Sequence, residues 1–109
     1  MMNTSVEIVK PSGNLDVTQS QEFRKNITDT LEQGAKIVLV DFQNVTFMDS
    51  SALGALVSAF KTLRASDSKL VVCSINEQVR ILFELTGMDK VFEIFPNQDE
   101  FQKTIFARN

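Results

Sequence analysis

The chain has 109 residues, 43% of them hydrophobic, and fourteen acidic against eleven basic side chains give a formal charge of −3. A chain of this length can bury roughly two-thirds of its unfolded surface in a single core, so one domain over residues 1–109 is expected. The acidic balance argues against a nucleic-acid partner. The absence of histidine removes imidazole bases, ligands and pH switches, and a single cysteine, Cys73, excludes an internal disulfide or a thiolate-rich metal site.

Residues 1–10 include polar Asn3, Thr4 and Ser5 and no continuous apolar segment, so neither a signal peptide nor an anchor is expected. No apolar run approaches the ~18 residues of a spanning helix. The expectation is a cytoplasmic protein without direct membrane insertion, cofactor or metal.

In chain order, Val6 to Lys10 reads as a strand, and Pro11-Ser12-Gly13-Asn14 has the chemistry of a turn, followed by a second strand or extended stretch before the first helix. Thr18 and Gln21 have capping-box spacing, and Phe23, Ile27, Thr30 and Leu31 recur at helical intervals up to Gly34. Ile37 to Val40 is a short apolar run, read as a strand buried on both faces. Asn44 to Asp49 is read as a loop. From about Ser51 to Ala65, Leu53, Leu56, Val57 and Phe60 supply the core side of a helix on which Arg64 also falls.

Lys69 to Ile75 repeats the buried-strand pattern and holds Cys73, expected to be a small hydrophobe rather than a reactive thiol. Asn76 caps a helix carrying Val79, Leu82 and Phe83, and Gly87 supplies its left-handed stop. Val91 to Phe95 reads as a further strand. After Pro96, Asn97 and Glu100 have N-terminal capping spacing for a last helix pinned by Phe101 and Ile105. The expected class is α/β: a mixed, mostly parallel sheet of about 4–5 strands packed with about 4 helices. The short N-terminal strands are open to either direction.

Asp49-Ser50-Ser51 stands where loop becomes helix, and the first backbone N–H groups there lack intrahelical partners. Capping by either serine is the plain reading. A histidine-based catalytic triad is excluded by composition, and no phosphate-loop pattern points to a nucleotide-handling enzyme. The helix face opposite the core would carry Ser51, Gly54, Ala55, Ser58, Thr62 and Ala65, none of them charged. Glycine inside a helix costs about 1 kcal/mol relative to alanine. Two explanations remain open for so small a face: another part of the domain covers it, or a partner docks on it.

Ile37-Val38-Leu39-Val40-Asp41, followed by Val45-Thr46-Phe47-Met48-Asp49-Ser50-Ser51-Ala52-Leu53-Gly54, resembles the signature of STAS-domain anti-sigma factor antagonists. Gly13-Asn14-Leu15-Asp16 is similar to the family's Gly-x-Leu-Asp segment, and Ser74 through Gly87 resembles its later helix. Ala52 departs from the pattern, standing where many members have glycine, a change expected either to stiffen the helix start or to crowd a partner slightly. The resemblance implies a STAS fold and no enzymatic activity. It implies reversible phosphorylation of Ser50, with Ser51 the alternative, and binding of an anti-sigma factor with serine-kinase activity by the unmodified form. Asp16, Asp49, Ser51, Gly54, Ala55 and Ser58 would then form the partner-binding set, and a serine phosphatase would restore binding. The competing expectation is a STAS docking subunit of another signalling complex or of a membrane transporter.

Overall fold

Alternation of inward and outward apolar residues along two central strands generates the architecture of the computed structural model, which describes residues 5–108. The elements are β1 (Val6–Val9), β2 (Ser12–Leu15), α1 (Ser20–Thr28), β3 (Ile37–Asp41), β4 (Asn44–Met48), α2 (Ser50–Ala65), β5 (Lys69–Cys73), α3 (Glu77–Thr86), β6 (Ile94–Phe95) and α4 (Gln98–Arg108). Four strands form a sheet in the order β1-β3-β5-β6, and β2 pairs with β4 in a second, two-stranded sheet. Every strand pairing among the described residues is parallel. The α/β class with four helices holds, and both short N-terminal strands run parallel to their partners. The expectations for residues 1–4 lie outside the described residues.

The main sheet is covered on both faces, as parallel sheets require. Val38, Val40, Leu70 and Val72 turn to one side, into a cluster with Phe23 and Ile27 of α1, Leu56 and Leu63 of α2, and Val79 and Phe83 of α3. Leu39, Val71 and Cys73 turn to the other, where Phe95, Phe101 and half-buried Ile105 meet them. Phe92 ties α2 to α3, with its ring centroid 5.1 Å from Phe60 and 5.7 Å from Phe83.

Several sequence expectations are corrected. The Pro11–Asn14 turn is strand β2, and the Asn44–Asp49 loop is mostly strand β4: Gly13 lies opposite Val45 and Asn14 opposite Phe47, with a bulge between them. Gly13 takes φ +75°, which is why the bulge has the residue chemistry of a turn. The Thr18–Gln21 capping box does not form. Helix α1 starts at Ser20, with Gln19 making no side-chain cap, and its last turn tightens to 3-10 over Asp29–Leu31. The strand proposed for Val91–Phe95 shrinks to Ile94–Phe95, because Met88–Lys90 forms a 3-10 turn and Phe92 turns into the core.

Candidate functional site

The Asp49-Ser50-Ser51 segment lies at the end of strand β4, beside the end of strand β2. Leu15 is in register with Met48, and the Asp49 N–H donates to the Leu15 carbonyl at 3.0 Å, so Asp16 and Asp49 leave adjacent strands at the same end. Asp49 takes extended backbone geometry and its side chain accepts from the Ala52 N–H at 3.0 Å, making it the cap of α2. Neither serine makes that cap. Ser50 is the first residue of the helix, one earlier than expected, and both Ser50 and Ser51 are exposed.

Asp16 is held by its own loop. Its carboxylate accepts from the Thr18 hydroxyl at 2.6 Å and the Thr18 N–H at 3.0 Å, while the Ser20 hydroxyl donates to its carbonyl at 2.9 Å. The Thr18 hydroxyl and, against slight desolvation, backbone N–H groups keep the Asp16 carboxyl below its ordinary value. The residue read as the start of a capping box therefore serves to fix and ionise Asp16. The strand ends thus present two carboxylates beside a helix N-terminus that begins with two free-standing serines.

Ser51, Gly54, Ser58, Thr62 and Ala65 are exposed, so no described part of this chain covers the small face. A Cβ added at Gly54 would meet no atom within 4 Å. Nothing in the domain's own packing calls for glycine there. Ala55 differs from its expected role: it is half-buried and packs on the core. Lys61 is exposed and Arg64 borders the same surface, so the uncharged stretch belongs to the N-terminal half of α2. Ala52 is fully buried, which places its methyl in the core rather than against a partner. Ala59 and Leu63 join Ala52, Leu53 and Leu56 as the buried residues, while Val57 and Phe60 are half-buried flanks.

Two positioning residues had little or no sequence signal as such. The Gln78 amide accepts from the Met48 N–H at 2.9 Å and donates to the Met48 carbonyl at 2.8 Å, completing the strand edge beside the site as another strand would. Asn76, expected only as a cap, accepts from the Val79 N–H and also donates to the Val45 and Thr46 carbonyls at 3.1 and 3.3 Å. The end of β4 is therefore clamped between β2 and the start of α3. Among the described residues no cluster of potential metal ligands occurs, and no helix is long and apolar enough to cross a membrane.

A polar cleft of about 620 Å³ lies at the ends of β3, β5 and β6, between Asp41, Ser74 and Gln98. Its buried carboxylate is already satisfied: the Gln98 amide donates to Asp41 at 2.7 Å and the Gln43 N–H at 2.9 Å. It anchors α4 to the sheet. Cys73, beneath it, is buried, and desolvation pushes its thiol up to about 11.

The STAS domain profile matches residues 2–101. An anti-sigma-B factor antagonist of Staphylococcus aureus is 31% identical over 86 residues, covering 79% of this chain and 80% of that protein. A crystal structure described as a putative anti-sigma factor antagonist from Thermotoga maritima superposes with a TM-score of 0.83 at 26% identity, covering 91% of this chain and 86% of that one. The unphosphorylated form of the anti-sigma factor antagonist SpoIIAA gives 0.80 at 19% identity, covering 98% and 93%, and shares the fold. The chain belongs to the STAS domain family, alongside anti-sigma factor antagonists.

Proposed function

We propose that this protein is an anti-sigma factor antagonist whose unmodified form binds a serine-kinase anti-sigma factor and so releases a sigma factor. The observation that carries the reading is the exposed Ser50 at the first position of α2, outside the cap made by Asp49 and followed by the uncharged surface of Ser51, Gly54 and Ser58. Ser51, also exposed, is the alternative acceptor. The Staphylococcus aureus relative supports the same role by its described activity.

Phosphorylation would add about −1.5 to −2 charges at a junction that already presents Asp16 and Asp49. The N-terminus of α2 offsets only about 0.3–1 kcal/mol of that repulsion. Because Ser50 is exposed, solvent screens the rest and the free domain tolerates the phosphate, whereas an approaching protein has to desolvate it and yield space to it. Modification by the anti-sigma factor switches binding off, and a serine phosphatase restores it. The protein acts by binding, as a cytoplasmic regulator, and catalyses neither step.

The test compares dissociation constants of wild type, Ser50→Ala and Ser50→Asp for purified serine-kinase anti-sigma factors. Wild type and Ser50→Ala are expected to bind alike and Ser50→Asp at least tenfold more weakly. Equal affinities for all three would discard the charge switch. Phosphopeptide mass spectrometry after incubation with the kinase and ATP separates Ser50 from Ser51.

A further inference from the structure

Among the large apolar side chains that remain exposed, Phe47 and the pair Ile81 and Leu85 lie on β4 and α3, and Leu85 is 81% exposed. They are tied to the switch segment. Phe47 precedes Met48, whose N–H and carbonyl are both held by Gln78, and Met48 precedes Asp49 and Ser50. Ile81 and Leu85 follow Gln78 at three and seven positions, so helical periodicity sets them on the Gln78 side of α3. The neighbouring ridge is a salt-bridged one, with Arg80 paired to both Glu77 and Glu84. The exposed surface of α3 is thus divided into a charged line that solvates the helix and an apolar line that begins at the β4–α2 junction.

Resting on the function proposed above, we propose that Phe47, Ile81 and Leu85 form the apolar half of the docking surface, receiving apolar side chains of the same anti-sigma factor that contacts Ser50. Interface size favours this occupant. A stable interface covers about 800 Å² per partner, a patch about 16 Å in radius, whereas Ser51, Gly54 and Ser58 offer little apolar area. Gln78 is bonded to Met48, two residues before Ser50, and Ile81 stands only about 5 Å of helical rise beyond Gln78, so a footprint centred near Ser50 reaches the start of this ridge. The small residues permit close approach at the switch, and the apolar ridge supplies burial beside it.

Ile81→Ser and Leu85→Ser are measured by calorimetry against the anti-sigma factor used in the Ser50 test, with Ile8→Ser, on β1, as an exposed apolar control. Thermal melts verify folding, and sedimentation of each free variant reports self-association. The expected result is at least tenfold weaker binding by the double variant Ile81→Ser/Leu85→Ser, with Ile8→Ser unchanged and every variant monomeric or unaltered in assembly. Full affinity of the double variant, with Ser50→Asp still impaired, overturns the ridge and leaves the switch standing. Loss of self-association without loss of anti-sigma factor binding assigns the ridge to a second copy of this chain and likewise overturns the proposal. If Ser50→Asp also binds fully, the functional reading fails first.

Discussion

Gly54 separates what the fold needs from what a partner needs. Its position on α2 is open, with no atom within 4 Å of a built Cβ, while glycine within a helix costs about 1 kcal/mol relative to alanine. Gly54→Ala is therefore expected to stabilise the free domain by about 0.5–1 kcal/mol and to weaken anti-sigma factor binding, because the added methyl stands on the docking face. Urea denaturation and calorimetry on the same preparation give the two signs. Stabilisation with unchanged affinity would remove Gly54 from the interface. Ala52, two residues earlier, shows why residue type alone is a poor guide: its methyl is fully buried, whereas one added at position 54 would stand in the open. At this scale residue type locates a cap within Asp49-Ser50-Ser51 but not its owner, which is the Asp49 carboxylate, accepting from the Ala52 N–H three residues on. Both serines were candidates for that cap until the extended backbone of Asp49 placed its carboxylate over the Ala52 N–H.

At the scale of elements, the misread segments are those whose partners are distant in the chain. Strand β2 contains a positive-φ glycine and an asparagine, which are turn residues in isolation, and becomes a strand only by pairing with β4 some thirty residues later. In β4, two exposed residues, Thr46 and Phe47, separate buried Val45 and Met48, so the period of two fails at the bulge. The Gln78 clamp on Met48 spans thirty positions and leaves no periodic trace. The Asp41–Gln98 bond spans fifty-seven.

That last contact has a pH consequence. Burial pushes the Asp41 carboxyl up, but hydrogen bonds from Gln98, Gln43 and Ser74 and the charge of Lys10 outweigh it and hold the group below its ordinary 3.8. The unfolded chain therefore binds the proton at higher pH than the folded one. The stabilisation is fully present above the unfolded value, near 3.8, and is lost as pH falls from there through the lower folded value. Asp41→Asn is expected to lower stability at pH 7 by about 1–3 kcal/mol and to flatten the acid limb of urea midpoints measured from pH 7 to 3. Asp16 is shifted in the same direction, so the limb is reduced rather than abolished. An unchanged slope would show that the Asp41 contact does not couple to protonation.

The whole molecule is asymmetric about its sheet, and this follows from the order of its helices. α1, α2 and α3 share one face, whereas the described part of the other is closed by α4 through Phe95, Phe101 and Ile105. The apolar runs of β3 and β5 disclose a sheet buried on both sides, because consecutive residues in each are apolar; which helix covers which face depends on crossovers that no local pattern records. Phe101 is 2% exposed and its ring meets Phe95 edge-on at a centroid distance of 5.5 Å. Phe101→Ala should therefore cost about 3–5 kcal/mol and loosen α4 in particular. Cys73 reports on that face, since it is fully buried and burial raises its thiol to about 11, leaving the native thiol neutral and shielded at pH 8. Alkylation of native wild type at pH 8 is expected to be slow and limited by opening, and at least tenfold faster in Phe101→Ala under conditions where far-ultraviolet circular dichroism shows the domain still folded. If the variant loses stability but Cys73 remains as protected as before, then α4 is not the element that shields this face, and the thin side of the sheet opens only when the entire core does.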